Sequence, residues 1–252
     1  MDQDIINQFQ TERKGRASFV VVEGYHALKH AFRFGAEIES VYVLDSFATL
    51  NFGETVRDEK FEDFLRERAV RISEPDFGFF TQGATRTGII ARVKKSSHSL
   101  EEVFLSHGRI VVLENPRDLS NLGAVVRVCA ARGDTSLIIT GEASVWHAHA
   151  IRGGAGLQWA LPVTHASLED VFTFVGRQGS DYKIFACTDE GDSMYESDLS
   201  GKSVLIFGTE REGITESTRV RADQKIAIPM QEGVSSMNLA TSVSAVLFSS
   251  RA

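Results

Sequence analysis

Three polar loops contain the residues of this chain that are best suited to chemistry, and each follows an apolar run typical of a buried strand. The loops begin at Glu114, Gly208 and Pro229. In open α/β sheets, ligands bind at the carboxyl ends of the strands. In the third loop, the serines of Gly233-Val-Ser-Ser236 can cap the apolar-striped helix that follows. One strand followed by a polar loop of this kind is ordinary. Three such strand–loop segments together predict a binding site for a small ligand.

A helix predicted to run to Arg132 presents two further candidates. We expect Asn121 to cap this helix. Gly123 and Arg127 lie four residues apart on a face other than the apolar one, so a backbone can approach Gly123 while Arg127 projects beside it. Further along, Arg152-Gly-Gly-Ala-Gly156 is either a phosphate cradle or only a tight turn.

Several common chemistries lack their sequence signatures. The chain has no G-x-G-x-x-G after a strand, no G-x-x-x-x-G-K-[ST] and no G-x-S-x-G, which argues against dinucleotide binding, nucleotide triphosphate hydrolysis and a serine hydrolase. His147 and His149 have no acidic or cysteine partner at ligand spacing, so we expect surface or capping histidines and no metal. Cys129 and Cys187 lack C-x-x-C spacing, which disfavours zinc and a disulfide framework.

The order of strands and helices predicts two α/β domains, residues 1–96 and residues 97–252. The first should contain strands at 19–23, 40–44, 70–72 and 88–93, with helices at 24–34 and 57–69. Residues 94–99 are polar, small and without periodicity, as in a linker. In the second domain strand and helix alternate, which favours a largely parallel sheet covered on both faces.

The composition is that of a globular protein, and we expect a cytoplasmic one. The chain has 252 residues, 42% of them hydrophobic and 24% charged. No apolar run approaches the roughly 20 residues of a membrane helix, and the first residues lack a basic segment. The net charge of -7 argues mildly against a nucleic-acid partner. A negative net charge for the whole chain is still compatible with a basic surface on one part of it.

The positive charge is concentrated near the amino terminus. Before residue 100 there are 14 lysines and arginines against 15 acids, a net charge of -1; after it there are 13 against 19, a net charge of -6. Cations and one histidine cluster around the first strand and its helix: Arg13, Lys14, Arg16, Lys29, His30 and Arg33. This cluster is either a solvated face or a surface for a polyanion.

Taken together, the three loops resemble the three motifs of the SpoU (TrmH-type) ribose methyltransferases of the SPOUT superfamily, in order and in spacing. The motifs are Asn121-Leu-Gly-Ala-Val-Val-Arg127, Phe207-Gly-Thr-Glu-Arg-Glu-Gly-Ile214, and Ile228-Pro-Met230 followed by Val234-Ser-Ser-Met-Asn-Leu239. Arg152-Gly-Gly-Ala-Gly156 resembles the family's glycine-bearing segment between the first two motifs. Residues 19–26 and 88–91 resemble the ribosomal-protein-like RNA-binding domain that many members carry.

The resemblance implies an architecture and a reaction. It implies an α/β fold with a carboxy-terminal deep trefoil knot, although general topology rules argue against knots. It also implies a homodimer through the knotted domain, with S-adenosylmethionine as methyl donor and a ribose 2′-hydroxyl of RNA as acceptor. The two-domain organisation most resembles that of family members that modify ribosomal RNA, chiefly of the large subunit. A transfer RNA enzyme and a non-catalytic RNA-binding protein remain the alternatives.

The resemblance also implies roles for individual residues. The catalytic set is Asn121, Arg127, Glu210, Ser236 and Asn238. The cofactor set is Thr188, Phe207, Gly208, Glu210, Gly213, Ile228, Met230, Ser236, Met237 and Leu239. The RNA-binding set is Arg13, Lys14, Arg16, Lys29, Arg33 and Arg152. Because an arginine with a pKa above about 12 is a poor base, Arg127 is better suited to clamp a phosphate and orient the ribose than to remove a proton.

Overall fold

A computed structural model describes residues 3–47, 58–81, 87–177, 181–209 and 212–249. It contains two compact units, one formed by residues 1–96 with 144–160 and the other by residues 97–143 with 161–252. The boundary at residue 96 coincides with the end of the first predicted domain. The units differ from the predicted domains in one segment, because residues 144–160 belong to the first unit.

The elements follow one another in the order expected of α/β units. The helices are α1 (Gln3–Glu12), α2 (Tyr25–Arg33), α3 (Glu59–Arg68), α4 (Glu74–Thr81), α5 (Leu100–Ser106), α6 (Leu119–Arg132), α7 (Ala148–Gly153), α8 (Leu168–Arg177), α9 (Glu216–Arg221) and α10 (Leu239–Ser249), with a 3-10 turn at Leu157–Ala160. The strands are β1 (Phe19–Glu23), β2 (Ile38–Leu44), β3 (Ala69–Ile72), β4 (Ile89–Lys94), β5 (Arg109–Leu113), β6 (Thr135–Ile139), β7 (Val163–His165), β8 (Lys183–Ser193), β9 (Ser203–Phe207) and β10 (Gln224–Ala227). The sequence analysis did not predict α4, α5, α7, β7 or α9.

The first unit is built on a four-stranded mixed sheet in the order β1-β4-β2-β3. Strand β4 is antiparallel to both β1 and β2, whereas β2 and β3 are parallel. The rings of Phe9, Tyr42 and Phe80 pack in its core, with centroids 4.7 Å apart for Phe9 and Phe80 and 4.8 Å apart for Tyr42 and Phe80. Helix α4 therefore contributes to the core through Phe80, which is fully buried.

Residues 144–160 complete this first unit. The backbone of Gly156 lies so close to that of Ala27 that a Cβ at Gly156 would come well under 3.0 Å from it. The indole Nε1 of Trp159 donates a hydrogen bond to the carbonyl oxygen of Lys94 at 2.9 Å. Gly156 also has a φ of +72°, which disfavours any residue with a side chain. The glycine-bearing segment is therefore a tight turn that packs against α2.

The second unit is built on a six-stranded sheet in the order β10-β8-β9-β5-β6-β7, and all of its strand pairs are parallel. Every residue of β5, β6 and β9 is buried. Burial on both faces explains why these strands appear in the sequence as continuous apolar runs. The predicted α/β class and the largely parallel sheet are confirmed. None of the helices in the described ranges has the length and apolar character needed to span a membrane.

Two helix caps differ from those predicted. Asp118, not Asn121, caps α6, since its carboxylate accepts hydrogen bonds from the N–H groups of Ser120 at 2.7 Å and Asn121 at 2.8 Å. Asn238, not a serine, caps α10, and its Oδ1 accepts from the N–H of Ala240 at 3.0 Å. Both predictions were wrong because several capping residues stand close together and sequence does not choose among them. Asn121 therefore lies in the first turn of α6 and not at its cap.

Strand β8 is interrupted along its edge with β10. Lys225 pairs with Ala186, but the next residue, Ile226, pairs with Asp192. The five residues from Cys187 to Gly191 therefore have no partner in β10, and they leave the ladder where β8 reaches the carboxyl end of the sheet. This irregularity places Thr188 and Asp189 next to the loops that follow β9 and β10.

Candidate active site

A cavity of about 380 Å³ opens at the carboxyl ends of β8, β9 and β10. Its volume is in the range of ligand pockets, about 300–1,000 Å³. Nine residues of the predicted cofactor set line it: Thr188, Phe207, Gly208, Gly213, Ile228, Met230, Ser236, Met237 and Leu239. The tenth, Glu210, lies outside the described residues. The structure thus brings segments spread over some fifty positions of the sequence around one space.

The loop after β9 forms one wall of this cavity by close backbone packing. Thr209 and Gly213 exchange backbone hydrogen bonds of 3.2 and 3.0 Å, which close the loop on itself. Gly208 lies against Gly213 and Ile214 so closely that a Cβ would come well under 3.0 Å from their backbone atoms. Gly213 has a φ of +65°, a conformation that favours glycine. Glycine at these two positions therefore permits the close backbone packing of this wall.

The cavity has lining residues that the sequence analysis missed. They are Cys187, Asp189, Thr209, Glu212, Ile214, Arg219, Ile226, Ser235, Ser242 and Val246. Most are neighbours of predicted residues and could have been included on that ground. Arg219 could not, because it is carried by α9, which has a Thr215 cap but no apolar stripe that would reveal it.

A buried carboxylate holds α9 in place. Glu114, at the end of β5, is 4% exposed. Its carboxylate accepts hydrogen bonds from the N–H of Thr215 at 3.2 Å and from the Oγ1 hydroxyl of Thr218 at 3.0 Å. The N–H of Glu114 donates to the carbonyl oxygen of Phe207 at 2.8 Å. Glu114 thus ties the ends of β5 and β9 to the first turn of α9, where a negative charge is favourable.

Arg219 and Asp189 give this cavity a charged edge. The Arg219 guanidinium donates to Oγ1 of Thr188 at 3.2 Å, and this hydroxyl donates to Oδ1 of Asp189 at 2.9 Å. The hydrogen bond from Thr188 lowers the pKa of Asp189 below its ordinary value, and the positive charge of Arg219 acts in the same direction. The three side chains form a hydrogen-bonded row of donors and acceptors in the lining of the cavity.

The predicted catalytic residues are partly brought together. Nδ2 of Asn238 donates to Oδ1 of Asn121 at 2.9 Å, which joins the start of α10 to the first turn of α6. Ser236 lies two residues before Asn238 and lines the cavity. Arg127 is exposed on α6, and its side chain makes no hydrogen bond or ion pair with any described residue. It does not line the cavity, so a larger substrate can reach it independently of a ligand held there.

Comparison with known protein families shows the family of this chain. The family model described as the SpoU rRNA Methylase family matches residues 108–248, which include all three motif loops. The chain belongs to this SpoU family. The resemblance on which the motif loops were interpreted is therefore confirmed.

Individual SpoU proteins match most of the chain. The 23S rRNA (guanosine-2′-O-)-methyltransferase RlmB of Salmonella typhi is 30% identical over 176 residues, covering 67% of this chain and 72% of that protein. The 23S rRNA (adenosine(1067)-2′-O)-methyltransferase of Streptomyces laurentii is 26% identical over 231 residues, covering 90% and 84%. The crystal structure of the SpoU methyltransferase AviRb from Streptomyces viridochromogenes, in complex with AdoMet, aligns with a TM-score of 0.81 at 20% identity and covers 97% and 96% of the two chains. At 20% identity, the structural match is evidence for a shared fold alone.

The residues expected to bind RNA in this SpoU protein all lie in the first unit, but they differ in availability. Lys14, Arg16 and Arg152 are exposed. Arg13 forms an ion pair with Glu23 and donates to the carbonyl oxygen of Phe80 at 2.7 Å.

The other two members of this set are also engaged. Arg33 pairs with Asp58 at 2.7 Å, although half of its side chain is exposed. Lys29 is 4% exposed, and burial lowers the pKa of its amine, with the charge of Arg33 adding to the effect. Among the six predicted cations, Lys14, Arg16 and Arg152 are therefore the ones best placed to meet a phosphate.

No group of three or more histidine, cysteine or acidic residues in the described ranges is arranged to hold a metal ion. His147 caps α7, since its Nδ1 accepts a hydrogen bond from the N–H of His149 at 3.1 Å. The prediction of a capping histidine is confirmed.

Replacing Asn238 with alanine in this SpoU protein is expected to weaken cofactor binding and methyl transfer together. The change removes the cap of α10, which typically costs about 1 kcal/mol, and it removes the bond to Asn121. Asn121→Ala is the matched control, because it removes the same side-chain bond and leaves the cap. Calorimetric titration with the cofactor should show the larger loss for Asn238→Ala. Equal losses for the two variants would contradict a role of the cap.

Proposed function

We propose that this protein is an S-adenosylmethionine-dependent methyltransferase that acts on a ribose 2′-hydroxyl of ribosomal RNA of the large subunit. The observation that carries the proposal is the single cavity lined by nine residues that family resemblance assigns to the cofactor. The hydrogen bond between Asn121 and Asn238 also supports it, because it joins two residues of the predicted catalytic set beside that cavity.

The cavity fits the proposed cofactor chemically. Apolar side chains, among them Ile228, Leu239 and Val246, suit a purine ring, and the Gly208 loop offers backbone groups at close range. Asp189, Arg219 and the serines suit hydroxyl, ammonium and carboxylate groups. When bound, S-adenosylmethionine supplies a methyl group activated by its sulfonium.

The chain's own residues would position the acceptor. Holding two reactants in line can supply about 7–11 kcal/mol of the barrier, so positioning is a sufficient role for much of the site. Arg127 is exposed and unpaired among the described residues, which suits it to bind a phosphate next to the target ribose. Asn121, Ser236 and Asn238 would orient the ribose and the loop by hydrogen bonds. Glu210, outside the described residues, keeps its predicted place in this set.

The substrate is proposed from the relatives. The named proteins from Salmonella typhi and Streptomyces laurentii are both 23S rRNA 2′-O-methyltransferases, and the second matches 90% of this chain, including most of the first unit. We therefore assign RNA recognition to residues 1–96 and methyl transfer to residues 97–252. Arg13, Lys29 and Arg33 would support the RNA-binding surface from within through their ion pairs and packing, whereas Lys14, Arg16 and Arg152 would contact RNA.

The knot, the dimer and the location belong to the same proposal. The parallel sheet and its match to SpoU structures are consistent with a trefoil knot at the carboxy-terminal motifs. Phe248, on the last described turn of α10, is 54% exposed, and an exposed aromatic residue there suits a homodimer interface through the knotted domain. A ribosomal RNA substrate and the family membership support a cytoplasmic location.

The proposed function is tested by methyl transfer from labelled S-adenosylmethionine to purified RNAs. We expect transfer to unmodified 23S rRNA, with the label on a ribose 2′-oxygen, and little transfer to tRNA. Mapping of the 2′-O-methyl position would give the nucleotide. Cofactor binding with modification of tRNA alone would overturn the ribosomal substrate. A folded protein that does not bind the cofactor would overturn the enzymatic assignment.

A further inference from the structure

Two segments far apart in sequence form one cationic surface in the first unit. We call it the cationic patch and define it by Lys14, Arg16, His147, His149 and Arg152. All five residues lie in the unit that comprises residues 1–96 and 144–160. Lys14 and Arg16 belong to the loop before β1, whereas the other three belong to α7 and its cap.

Backbone contacts bring the two segments together. Gly15 lies between Lys14 and Arg16, and a Cβ at this position would come well under 3.0 Å from the backbone of Trp146 and His147. The carbonyl oxygen of Gly15 accepts a hydrogen bond from Oγ of Ser144 at 3.2 Å. Two residues before Gly15, the carbonyl oxygen of Arg13 accepts a hydrogen bond from the N–H of Ala148 at 2.9 Å. The side chains on either side of Gly15 therefore stand beside the start of α7.

Helix α7 adds its polar face to this surface. His149 and Arg152 are exposed, whereas Ala148, Ala150 and Ile151 are buried. Residues three apart lie on the same side of a helix, so His149 and Arg152 share one face.

Within the first unit, the acids nearest Lys14 and Arg16 in the sequence are neutralised by other arginines. Glu12 is 3% exposed and pairs with Arg92 at 2.8 Å. Glu23 forms an ion pair with Arg13. Lys14, Arg16 and Arg152 make no ion pair with any described residue. The positive charge of these three side chains is therefore uncompensated, in a chain whose net charge is -7.

The two histidines add groups of a different kind. Burial lowers the pKa of His147, and the neighbouring His149 and Arg13 lower it further. Its Nδ1 accepts a hydrogen bond from the His149 N–H, so the neutral ring carries its proton on Nε2. The exposed ring of His149 packs edge-on against His147, with centroids 5.1 Å apart. An exposed aromatic ring beside cations is a surface on which an unpaired base can stack.

We propose that the cationic patch docks the backbone of the RNA substrate, with Lys14, Arg16 and Arg152 on phosphates and His149 against a base. The inference rests on the proposed function, since it takes RNA as the substrate. It assigns an RNA contact to His149, which the motifs left without a role. It also makes the turn between the first two motifs part of the RNA-binding unit. A polyanion fits the patch because Lys14, Arg16 and Arg152 have no ion-pair partner among the described residues, and Glu12 and Glu23 are already paired with other arginines.

The test compares two triple variants of the full chain. The patch variant is Lys14→Ala, Arg16→Ala and Arg152→Ala. The control is Lys60→Ala, Arg66→Ala and Arg68→Ala, which removes the same charge from exposed positions on α3 of the same unit. Binding to a 23S rRNA transcript is measured by filter retention at several salt concentrations. Calorimetry with S-adenosylmethionine and circular dichroism report the cofactor site and the fold.

The patch variant should bind the transcript at least tenfold more weakly at 0.1 M salt, and the control should stay within twofold of the parent. The slope of log K against log salt should fall by about 2 to 3, since each lost phosphate contact removes about 0.7–0.9. Cofactor affinity should be unchanged in both variants. Failure of the parent to bind or methylate the transcript would overturn the proposed function itself. If the parent methylates the transcript but the patch variant binds it as tightly as the parent does, the patch is not the docking surface. The same conclusion follows if the control variant loses as much affinity for the transcript as the patch variant.

The histidine contact is tested separately. His149→Ala should weaken binding to the transcript several-fold, and His149→Phe should restore it, because a phenyl ring stacks on a base as well as an imidazole does. Equal binding by the alanine variant and the parent would remove His149 from the docking surface.

Discussion

Gly208→Ala is expected to abolish binding of S-adenosylmethionine. A Cβ at this position would come well under 3.0 Å from backbone atoms of Gly213 and Ile214. Backbone cannot swing aside as a flexible side chain does, so the loop must move out of the shape that lines the cavity. Forcing extra atoms into packed structure typically costs about 1–3 kcal/mol, and we expect Tm to fall by roughly 2–4 °C for each kcal/mol. Calorimetric titration and thermal unfolding measure the two effects.

Gly176→Ala is the matched control for this experiment. It makes the same chemical change in the same unit, at an exposed position of α8 where a Cβ would meet nothing within 4 Å. Since alanine favours a helix over glycine by about 1 kcal/mol, this variant should be as stable as the parent or more so, with unchanged cofactor affinity. Normal cofactor binding by Gly208→Ala would show that the loop after β9 does not form the cofactor site.

Arg127→Ala is expected to lower methyl transfer by about 100- to 1,000-fold, the usual loss when one preorganised group in a polar active site is removed. Cofactor affinity should change less than twofold, because Arg127 does not line the cavity. The affinity of cofactor-saturated enzyme for RNA should fall if the side chain clamps a phosphate. Single-turnover rates, calorimetry and RNA titration separate these quantities.

Two further variants sharpen this result. Arg127→Lys keeps the charge but loses the bidentate fork, so a clamp that depends on geometry should be restored only in part. Arg177→Ala removes another exposed arginine from the same unit, at the end of α8, and should leave transfer unchanged. Turnover by Arg127→Ala close to that of the parent would mean that the residue takes no part in the reaction.

Much of the fold could be predicted because burial leaves a pattern in the sequence. Strands β5 and β9 are buried along their whole length, and both end where the apolar runs in the sequence predicted, directly before Glu114 and Gly208. Helix α9 shows the opposite case. It has six residues, of which only Thr218 is buried, and it is held by a bond to Glu114 about a hundred positions away. No local pattern records such a contact, so the helix was missed.

The same reason limits what the sequence says of the site. The motif residues around the cavity follow from resemblance, since they lie in three short loops of fixed spacing. Asp189 enters the cavity because β8 leaves its ladder with β10 for five residues, and sequence does not show where two strands change register. Arg13 looked like an RNA contact beside Lys14, but its pairing with Glu23 depends on how the loop packs against β1. Charge type is visible in a sequence, whereas the partner that neutralises it is not.

The return of residues 144–160 to the first unit has a consequence for the order in which the chain can fold during synthesis. Strand β4 ends at Lys94, but Trp159, which donates a hydrogen bond to that residue, is made 65 residues later. At roughly 5–20 residues per second, the ribosome needs about 3 to 13 s to supply it. During this interval the surfaces that meet Gly156 and Trp146 stay exposed. The first unit is thus completed only after β5, α6 and β6 have emerged, and neither half of the chain cut at residue 96 would contain all of it.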